Sequence, residues 1–221
     1  MKKIGTIVLS ILLVSNLLAC TNSEPQVNSK ETISKGHSMS EEGLEKAYFA
    51  SGCFWCVEAV FQSVKGVKDA VSGYSGGEVD NPTYRQVSSG SLKHAEAVKV
   101  IYDPGVVDFE TLVKVFFGSH DPTTLNRQDP DRGPQYRSIA FYETESEKST
   151  IENYIKELEE KKTFSGTIVT EVKAFEKFWR AEEYHQEYEA LHPDVPYVKS
   201  VSIPRLKKFQ AKFPELLKEN H

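Results

Sequence analysis

Hydrophobic and polar residues follow two different periods along the chain after about residue 45. Short segments in which apolar residues alternate with polar ones or cluster predict strands at 46–51, 67–74, 95–102, 135–142 and 167–173. Helical spacing of apolar residues and N-terminal capping residues predict helices that start at Cys53, Asp108, Thr144, Ala181 and Pro204, and Asn81–Tyr84 predict either a helix start or a tight turn. Helices and strands therefore interleave along one domain.

This order of elements predicts an α+β fold. Helices packed on an antiparallel or mixed sheet account for it, and we expect a ferredoxin-like two-layer sandwich with extra helices and long loops. The longest segment without either period covers residues 120–134 and contains three prolines and a glycine. A loop of that length in a compact domain is usually functional or disordered.

The N-terminal pattern is different. Lys2 and Lys3 precede a mostly apolar run at 4–18, which ends in Leu17-Leu18-Ala19-Cys20. This layout is typical of a secretory signal peptide, and its end resembles the lipobox of bacterial lipoproteins. We therefore expect a signal peptide at 1–19 and lipidation of Cys20. An uncleaved anchor and a plain signal peptide are the alternatives.

Residues 20–45 are predicted to be a flexible tether, because the segment after Cys20 has no aromatic residue and is rich in Ser, Glu, Asn and Lys. A folded domain should then cover 46–198, with a helical tail at 199–221 packed on it. The whole chain has 221 residues and a net charge of -5. Without Lys2 and Lys3, 25 basic residues face 32 acidic ones, which gives about -7 and argues against a nucleic-acid partner.

Two of the three cysteines lie one helical turn apart in SGCFWCVEAVF, residues 51–61. If the strand ends near Ser51, Cys53 lies at a helix N-terminus, where unpaired amides and the helix dipole favour a thiolate. Cys56 at i+3 shares that helix face, so the pair can cycle between dithiol and disulfide. The pattern predicts a redox-active site.

Other chemistries are compatible with a C-x-x-C pair. Outside the cytosol it can be a structural disulfide. A zinc site needs two more ligands, for which the candidates are His94, His120, His185 and His192. A thioredoxin-like oxidoreductase is the closest alternative, although there the tryptophan usually precedes the first cysteine.

The motifs around this pair identify a resemblance to a known family. GCFWCVE is similar to the signature of peptide methionine sulfoxide reductase A. Seven further motifs occur in the family's order and, with the signature, span Tyr48 to Tyr197. They are GYSGG, NPTYRQV, HAEAVKVIYDP, HDPT, NRQ, DRGPQYRS and AEEYHQ.

The resemblance implies a role for each matching residue. Cys53 would attack the sulfoxide sulfur, and Glu96 would protonate the sulfoxide oxygen. A carboxylic acid in an apolar pocket has a raised pKa and suits that task. The residues that would bind substrate are Phe54 and Trp55 around the methyl group, Tyr84 and Tyr136 at the oxygen, and Asp131. We expect structural hydrogen bonding from His94 and His185.

The sequence departs from the family pattern in three places. Many members have glycine where Cys56 stands and carry resolving cysteines near the C-terminus, whereas this chain resembles the subgroup with the second cysteine inside the signature. Asp129 and Lys93 stand where glycine is common, which puts the local loop geometry in doubt.

The resemblance implies a peptide-methionine (S)-S-oxide reductase that repairs oxidised proteins through a Cys53 sulfenic acid and a Cys53–Cys56 disulfide. It implies no metal or organic cofactor and a thioredoxin-like protein or other dithiol as reductant. With the N-terminal signal, we expect an extracytoplasmic, membrane-anchored bacterial lipoprotein that is a monomer.

Overall fold

A six-stranded mixed sheet lies at the centre of residues 43–219, the part of the chain that this computed structural model describes. The strands are β1 (Glu45–Ser51), β2 (Val67–Ser75), β3 (Ala95–Tyr102), β4 (Arg127–Gln128), β5 (Asp131–Arg132), β6 (Ser138–Tyr142), β7 (Glu171–Ala174) and β8 (Phe178–Arg180). The sheet order is β7-β6-β1-β3-β2-β8, and β4 pairs with β5 in a separate two-stranded ribbon. In the described part of the chain, β6–β7 is the only parallel pair of the large sheet.

Six α-helices accompany the sheet within residues 43–219. They are α1 (Phe54–Gln62), α2 (Tyr84–Ser88), α3 (Phe109–Ser119), α4 (Glu145–Glu160), α5 (Tyr188–Leu191) and α6 (Ile203–Lys212). Short 3-10 turns cover Pro134–Tyr136, Glu183–His185 and Pro214–Leu216, and a π-helical turn covers Val198–Ser202. Helix α6 packs against α1 and α3. Within residues 43–219, no helix is both long enough and apolar enough to cross a bilayer.

Both faces of the sheet are covered by packed side chains. Successive side chains of a strand point to opposite sides, so each strand contributes to both faces. On the helical face, Phe49 of β1 stacks on Phe61 of α1 at 5.2 Å and on Phe116 of α3 at 5.1 Å between ring centroids. On the opposite face, Tyr48 stacks on Phe175 at 3.7 Å. Full burial of each large side chain contributes roughly 1.5–3 kcal/mol, so these rings fix the helices on the sheet.

The predicted starts of α3 and α4 are confirmed by their capping residues, and of the two alternatives at 81–84 the helix forms, as α2. Asp108 accepts a hydrogen bond from the Thr111 amide at the start of α3, and Thr144 and Glu147 form a reciprocal capping box on α4. These side chains satisfy amides that the first helical turn leaves unpaired. The predicted mixture of helices with a mixed sheet is confirmed, and the ferredoxin-like classification stays a prediction.

The predicted helix at 181–191 is wrong. The side chain of Gln186 hydrogen-bonds both the amide and the carbonyl of Ser72 and so ties the segment to β2. Glu187 has a left-handed backbone with φ +53°, which interrupts any continuous helix. Only a 3-10 turn and the one-turn helix α5 form there, and the sequence pattern also missed β8 immediately before them.

Two strand boundaries differ from the predictions. The strand expected at 135–142 begins only at Ser138, because Pro134–Tyr136 form a 3-10 turn, and the strand expected at 167–173 begins at Glu171. The long loop at 120–134 contains the short β4–β5 ribbon. The signal peptide, Cys20 and nearly all of the tether lie outside the described residues, and the predicted domain boundaries stay predictions.

Candidate active site

The turn between β1 and α1 places Cys53 at the helix start. Gly52 has φ +94°, a left-handed conformation that side chains disfavour, and a Cβ there would lie 2.8 Å from Cβ of Gln128. Cys53 is the N-cap residue of α1. The glycine therefore lets the chain turn sharply and lets the loop that carries Gln128 pack beside the cysteine.

Glu96 is brought to the same place by the sheet register. It lies on β3 opposite Tyr74 of β2, and its side chain is buried. Its Oε2 accepts a hydrogen bond of 3.1 Å from the amide of Phe54, the residue after Cys53. Burial raises the pKa of Glu96 to about 8, the Phe54 bond opposes this, and the charge of Asp131 adds to it. At neutral pH the group is therefore mostly a carboxylic acid beside Cys53.

Cys53 and Cys56 are both buried free thiols. Burial raises the pKa of Cys53 well above its usual value, and the neighbouring Cys56 and Glu96 raise it further. This is opposite to the prediction from the helix N-terminus. A hydrogen bond from Cys53 lowers the pKa of Cys56 to about 7, with further help from the charge of Arg205. In the reduced pair the negative charge therefore lies mainly on Cys56.

The two predicted oxygen-binding tyrosines share the surroundings of Cys53. Burial raises the pKa of Tyr84 to about 12, and the charges of Glu96 and Cys53 add to the shift. Burial also raises the pKa of Tyr136, again with Glu96, Asp131 and Cys53 contributing. Both phenols therefore keep their protons and can donate hydrogen bonds at neutral pH.

Phe54 and Trp55 form an aromatic wall with side chains from distant segments. The Phe54 ring lies 5.9 Å from Tyr74, 6.3 Å from Tyr84 and 5.0 Å from His185 between centroids. The Trp55 indole N–H donates to Nδ1 of His185 at 3.2 Å. Only the tautomer with its proton on Nε2 can accept there, so the indole fixes the tautomer of His185.

The two histidines differ from each other. His185 makes the hydrogen bond expected of it, and burial lowers the pKa of its ring. His94 is buried beside Gly77, where a Cβ would lie 2.3 Å from its Nδ1. Neither of its ring nitrogens has a hydrogen-bond partner in the described residues, so the expected structural hydrogen bonding of His94 is not present there. Burial and the nearby Arg137 and Lys173 lower its pKa.

Asp131 lies on β5 and faces the cysteines through Tyr197. The Tyr197 hydroxyl donates to Oδ2 of Asp131 at 2.6 Å and lies 3.9 Å from Sγ of Cys56. Burial raises the pKa of Asp131. All the site residues predicted from the sequence between Cys53 and Tyr136 thus lie in one region of the structure.

Sequence reasoning missed three residues that complete this region. Glu182 accepts hydrogen bonds from the Tyr74 hydroxyl at 2.8 Å and from the Tyr84 amide at 2.9 Å. The position of Glu182 within the motif AEEYHQ is the sequence signal that could have identified it. Tyr197 and Arg205 come from the C-terminal part of the chain, and no local sequence pattern connects them with the cysteines.

Two of the three departures from the family pattern, Lys93 and Asp129, lie at the surface. Lys93 pairs with Glu78 at 3.0 Å between two exposed side chains. Asp129 pairs with Arg127 at 3.5 Å and with Arg132 at 3.1 Å across the β4–β5 ribbon. Residues 43–219 contain no group of three or more His, Cys, Asp or Glu side chains that could hold a metal ion.

Comparison with known proteins gives a consistent match. The family model described as peptide methionine sulfoxide reductase matches residues 45–217. The peptide methionine sulfoxide reductase MsrA of Haloquadratum walsbyi is 46% identical over 173 residues, which cover 78% of this chain and 98% of that protein. The MsrA of Chromobacterium violaceum is also 46% identical, over 79% of this chain and 99% of its own length.

Solved structures have a similar fold. Reduced Mxr1 from Saccharomyces cerevisiae superposes with a TM-score of 0.63 and 31% identity, over 69% of this chain and 87% of that one. Methionine sulfoxide reductase A of Corynebacterium diphtheriae gives a TM-score of 0.62 and 34% identity, over 69% of this chain and 76% of that one.

Proposed function

The chain belongs to the peptide methionine sulfoxide reductase family, and from that premise we propose that it reduces the S epimer of methionine sulfoxide, free or in proteins. The observation that carries the proposal is the buried Glu96 carboxyl, bonded at 3.1 Å to the amide that follows Cys53. A sulfoxide is a poor electrophile until its oxygen gains a proton. Glu96 is the acid that supplies it.

The nucleophile is Cys53 because of its neighbours. The charge of Cys53 acts on Tyr84 and Tyr136, the two phenols that would hold the sulfoxide oxygen. Cys56 lies on the other side, against Tyr197 and Arg205. When the reduced pair has lost one proton, the Cys53 thiol donates a hydrogen bond to the Cys56 thiolate, and transfer of that proton produces the Cys53 thiolate. Cys56 is thus the first base of the reaction.

The first step transfers oxygen from methionine sulfoxide to Cys53. The Cys53 thiolate attacks the sulfoxide sulfur while Glu96 gives its proton to the oxygen. Methionine leaves, the oxygen passes to Cys53 as a sulfenic acid, and Glu96 is left as a carboxylate. Phe54 and Trp55 provide an apolar wall for the substrate methyl group, which favours one epimer.

The second step forms the Cys53–Cys56 disulfide and releases water. A thioredoxin-like protein or another dithiol then reduces the pair by thiol–disulfide exchange. No metal or organic cofactor takes part in these steps.

We also propose that the protein works outside the cytoplasm as a lipoprotein anchored through Cys20, supported by the Leu17-to-Cys20 sequence. If the short helix α2 and the β4–β5 ribbon are set aside as insertions, the chain order β1-α1-β2-β3-α3-β6 supports the ferredoxin-like classification.

Single-turnover experiments on the two cysteines test this proposal. Cys53→Ser should form no methionine. Cys56→Ser should release about one methionine per enzyme molecule and then stall as a Cys53 sulfenic acid with a thioredoxin-type reductant. The measurement combines quenched single turnovers with mass detection of the trapped sulfenic acid, and a small thiol at high concentration should partly restore turnover.

Three results would contradict the proposal. If the burst of methionine release survives Cys53→Ser but not Cys56→Ser, the roles of the two cysteines are reversed. This test is sharp because Cys56 has the lower pKa of the two. Wild-type turnover by Cys56→Ser with thioredoxin removes the resolving role. Insulin reduction without epimer-selective methionine formation indicates a general thiol–disulfide oxidoreductase.

A further inference from the structure

The thiol of Cys56 lies at the end of a short chain of hydrogen-bonding groups. Its sulfur lies 3.9 Å from the Tyr197 hydroxyl, which donates to Oδ2 of Asp131 at 2.6 Å. Cys56 is 1% exposed, so bulk water does not reach its sulfur freely. Any proton that leaves Cys56 must therefore pass to a neighbouring protein group.

The direction of these bonds follows from the count of protons. A phenol has one proton, and Tyr197 gives it to Asp131. The Tyr197 oxygen therefore keeps its acceptor site, so the S–H of a protonated Cys56 can donate to it across the 3.9 Å contact. The chain of donors runs from Cys56 through Tyr197 to the carboxylate of Asp131, which is the direction needed to remove a proton from sulfur.

We propose that Tyr197 and Asp131 form a proton relay that deprotonates Cys56 as it attacks the Cys53 sulfenic acid. This inference rests on the proposed function, because that step exists only if Cys53 becomes a sulfenic acid. It gives Asp131 a second role beside the predicted binding of substrate. It also gives the C-terminal segment, which contains no cysteine, a function in forming the Cys53–Cys56 disulfide.

The step balances in atoms and electrons. The Cys56 proton moves to the Tyr197 oxygen as the Tyr197 proton moves to Asp131. The Cys56 sulfur then attacks the Cys53 sulfur, the S–S bond forms and the S–O bond breaks. The departing hydroxide takes the proton from Asp131 and leaves as water. Cys56 is oxidised and the Cys53 sulfur is reduced, with no outside oxidant.

The first half-reaction explains why this relay is needed. Cys56 takes the proton of Cys53 when the Cys53 thiolate forms, so it is a protonated thiol when the sulfenic acid appears. Burial raises the pKa of Asp131, which makes it a better proton acceptor than an exposed aspartate. The Tyr197 ring packs edge-on against Trp55 at 6.0 Å between centroids, which fixes the position of its hydroxyl oxygen.

Tyr197→Phe removes the hydroxyl and keeps the ring, so it tests the relay with little change in packing. Methionine release in the first turnover should slow much less than disulfide formation, because in that step Tyr197 only hydrogen-bonds the cysteines and Asp131 and transfers no proton. Disulfide formation should slow by about 10²-fold, at the low end of the usual effect of acid–base catalysis, and the Cys53 sulfenic acid should accumulate. Tyr154→Phe, another half-buried tyrosine but on α4 near Phe117, is the matched control and should change neither step.

Rapid quenching, trapping of the sulfenic acid and mass spectrometry measure both steps. The rate of disulfide formation by Tyr197→Phe should also rise with pH, because hydroxide then replaces the missing relay. A purely structural role does not produce this pH dependence. In a Cys56→Ser background, Tyr197→Phe should not change the amount of Cys53 sulfenic acid that accumulates.

Two results would overturn the relay. One is disulfide formation by Tyr197→Phe at the wild-type rate. The other is equal slowing of methionine release and disulfide formation, which indicates a structural role. Absence of methionine release in the wild-type protein is a different outcome, since it rejects the proposed function itself and the relay with it.

Discussion

Glu96→Gln removes the acidic proton at the site with a small change in shape. The amide oxygen of glutamine can still accept the 3.1 Å hydrogen bond from the Phe54 amide, so α1 should start in the same way. What is lost is a group that can give a proton to the sulfoxide oxygen. The variant therefore separates the chemistry of Glu96 from its packing.

The raised pKa of Glu96 determines how much of this carboxyl is protonated, and so able to act as an acid, at neutral pH. A carboxyl with a pKa of about 8 is about 90% protonated at pH 7, against about 0.3% for one at the usual 4.5. Burial thus enlarges the reactive fraction about 300-fold at that pH. A general acid usually contributes about 10²–10⁴-fold, and we expect Glu96→Gln to slow methionine release in the first turnover by that factor.

The assay is single-turnover methionine release as a function of pH. In the wild-type protein the rate should rise as the cysteine pair loses a proton near pH 7 and fall as Glu96 loses its proton near pH 8. Glu96→Gln should lose the falling limb. Glu58→Gln is the matched control, because Glu58 is also buried, with its pKa raised to about 7, and bonds Ser72 and the Glu187 amide. Near-wild-type release by Glu96→Gln, or an unchanged falling limb, would refute the reasoning.

The remaining predictions concern location and stability. Cys20→Ser should release the protein from membrane fractions with full specific activity, and a soluble, folded but inactive variant would contradict the assignment of Cys20 to anchoring alone. Glu58 and Glu96 have pKa values above the usual 4.5, so the folded state holds protons that the unfolded state loses. Their contribution to stability should therefore fall as pH rises from about 4.5 to about 8, and over this range the melting temperature of the wild type should decline relative to that of Glu96→Gln. Equal slopes for the two proteins would count against a raised pKa for Glu96.

Local patterns in the sequence determined most of the secondary structure. The strand predicted at 95–102 has those bounds in β3, and Asp108 and Thr144 cap the helices that they were expected to start. These elements depend on side chains within a few residues of one another, which a sequence displays directly. The Cys53–Cys56 pair could be recognised for the same reason.

Segments held by distant partners could not be predicted in this way. Residues 181–191 have the apolar spacing of a helix, yet Gln186 bonds the backbone of β2, 114 positions earlier in the chain. Strand β8 is three residues long and forms only because β2 offers it an edge. In both places the tertiary hydrogen bonds outweigh local propensity.

The sequence also determined which side chains could carry the chemistry, while the tertiary structure decided their protonation. The motifs single out Cys53 and Glu96, and the helix N-terminus predicts a thiolate at Cys53. Burial instead raises the pKa of both groups, and the hydrogen bond from Cys53 places the charge of the pair on Cys56. Tyr197 reaches Cys56 across 141 positions of sequence. Solvent exclusion and contacts between distant residues exist only in the folded chain, and these two factors set the pKa of each buried group.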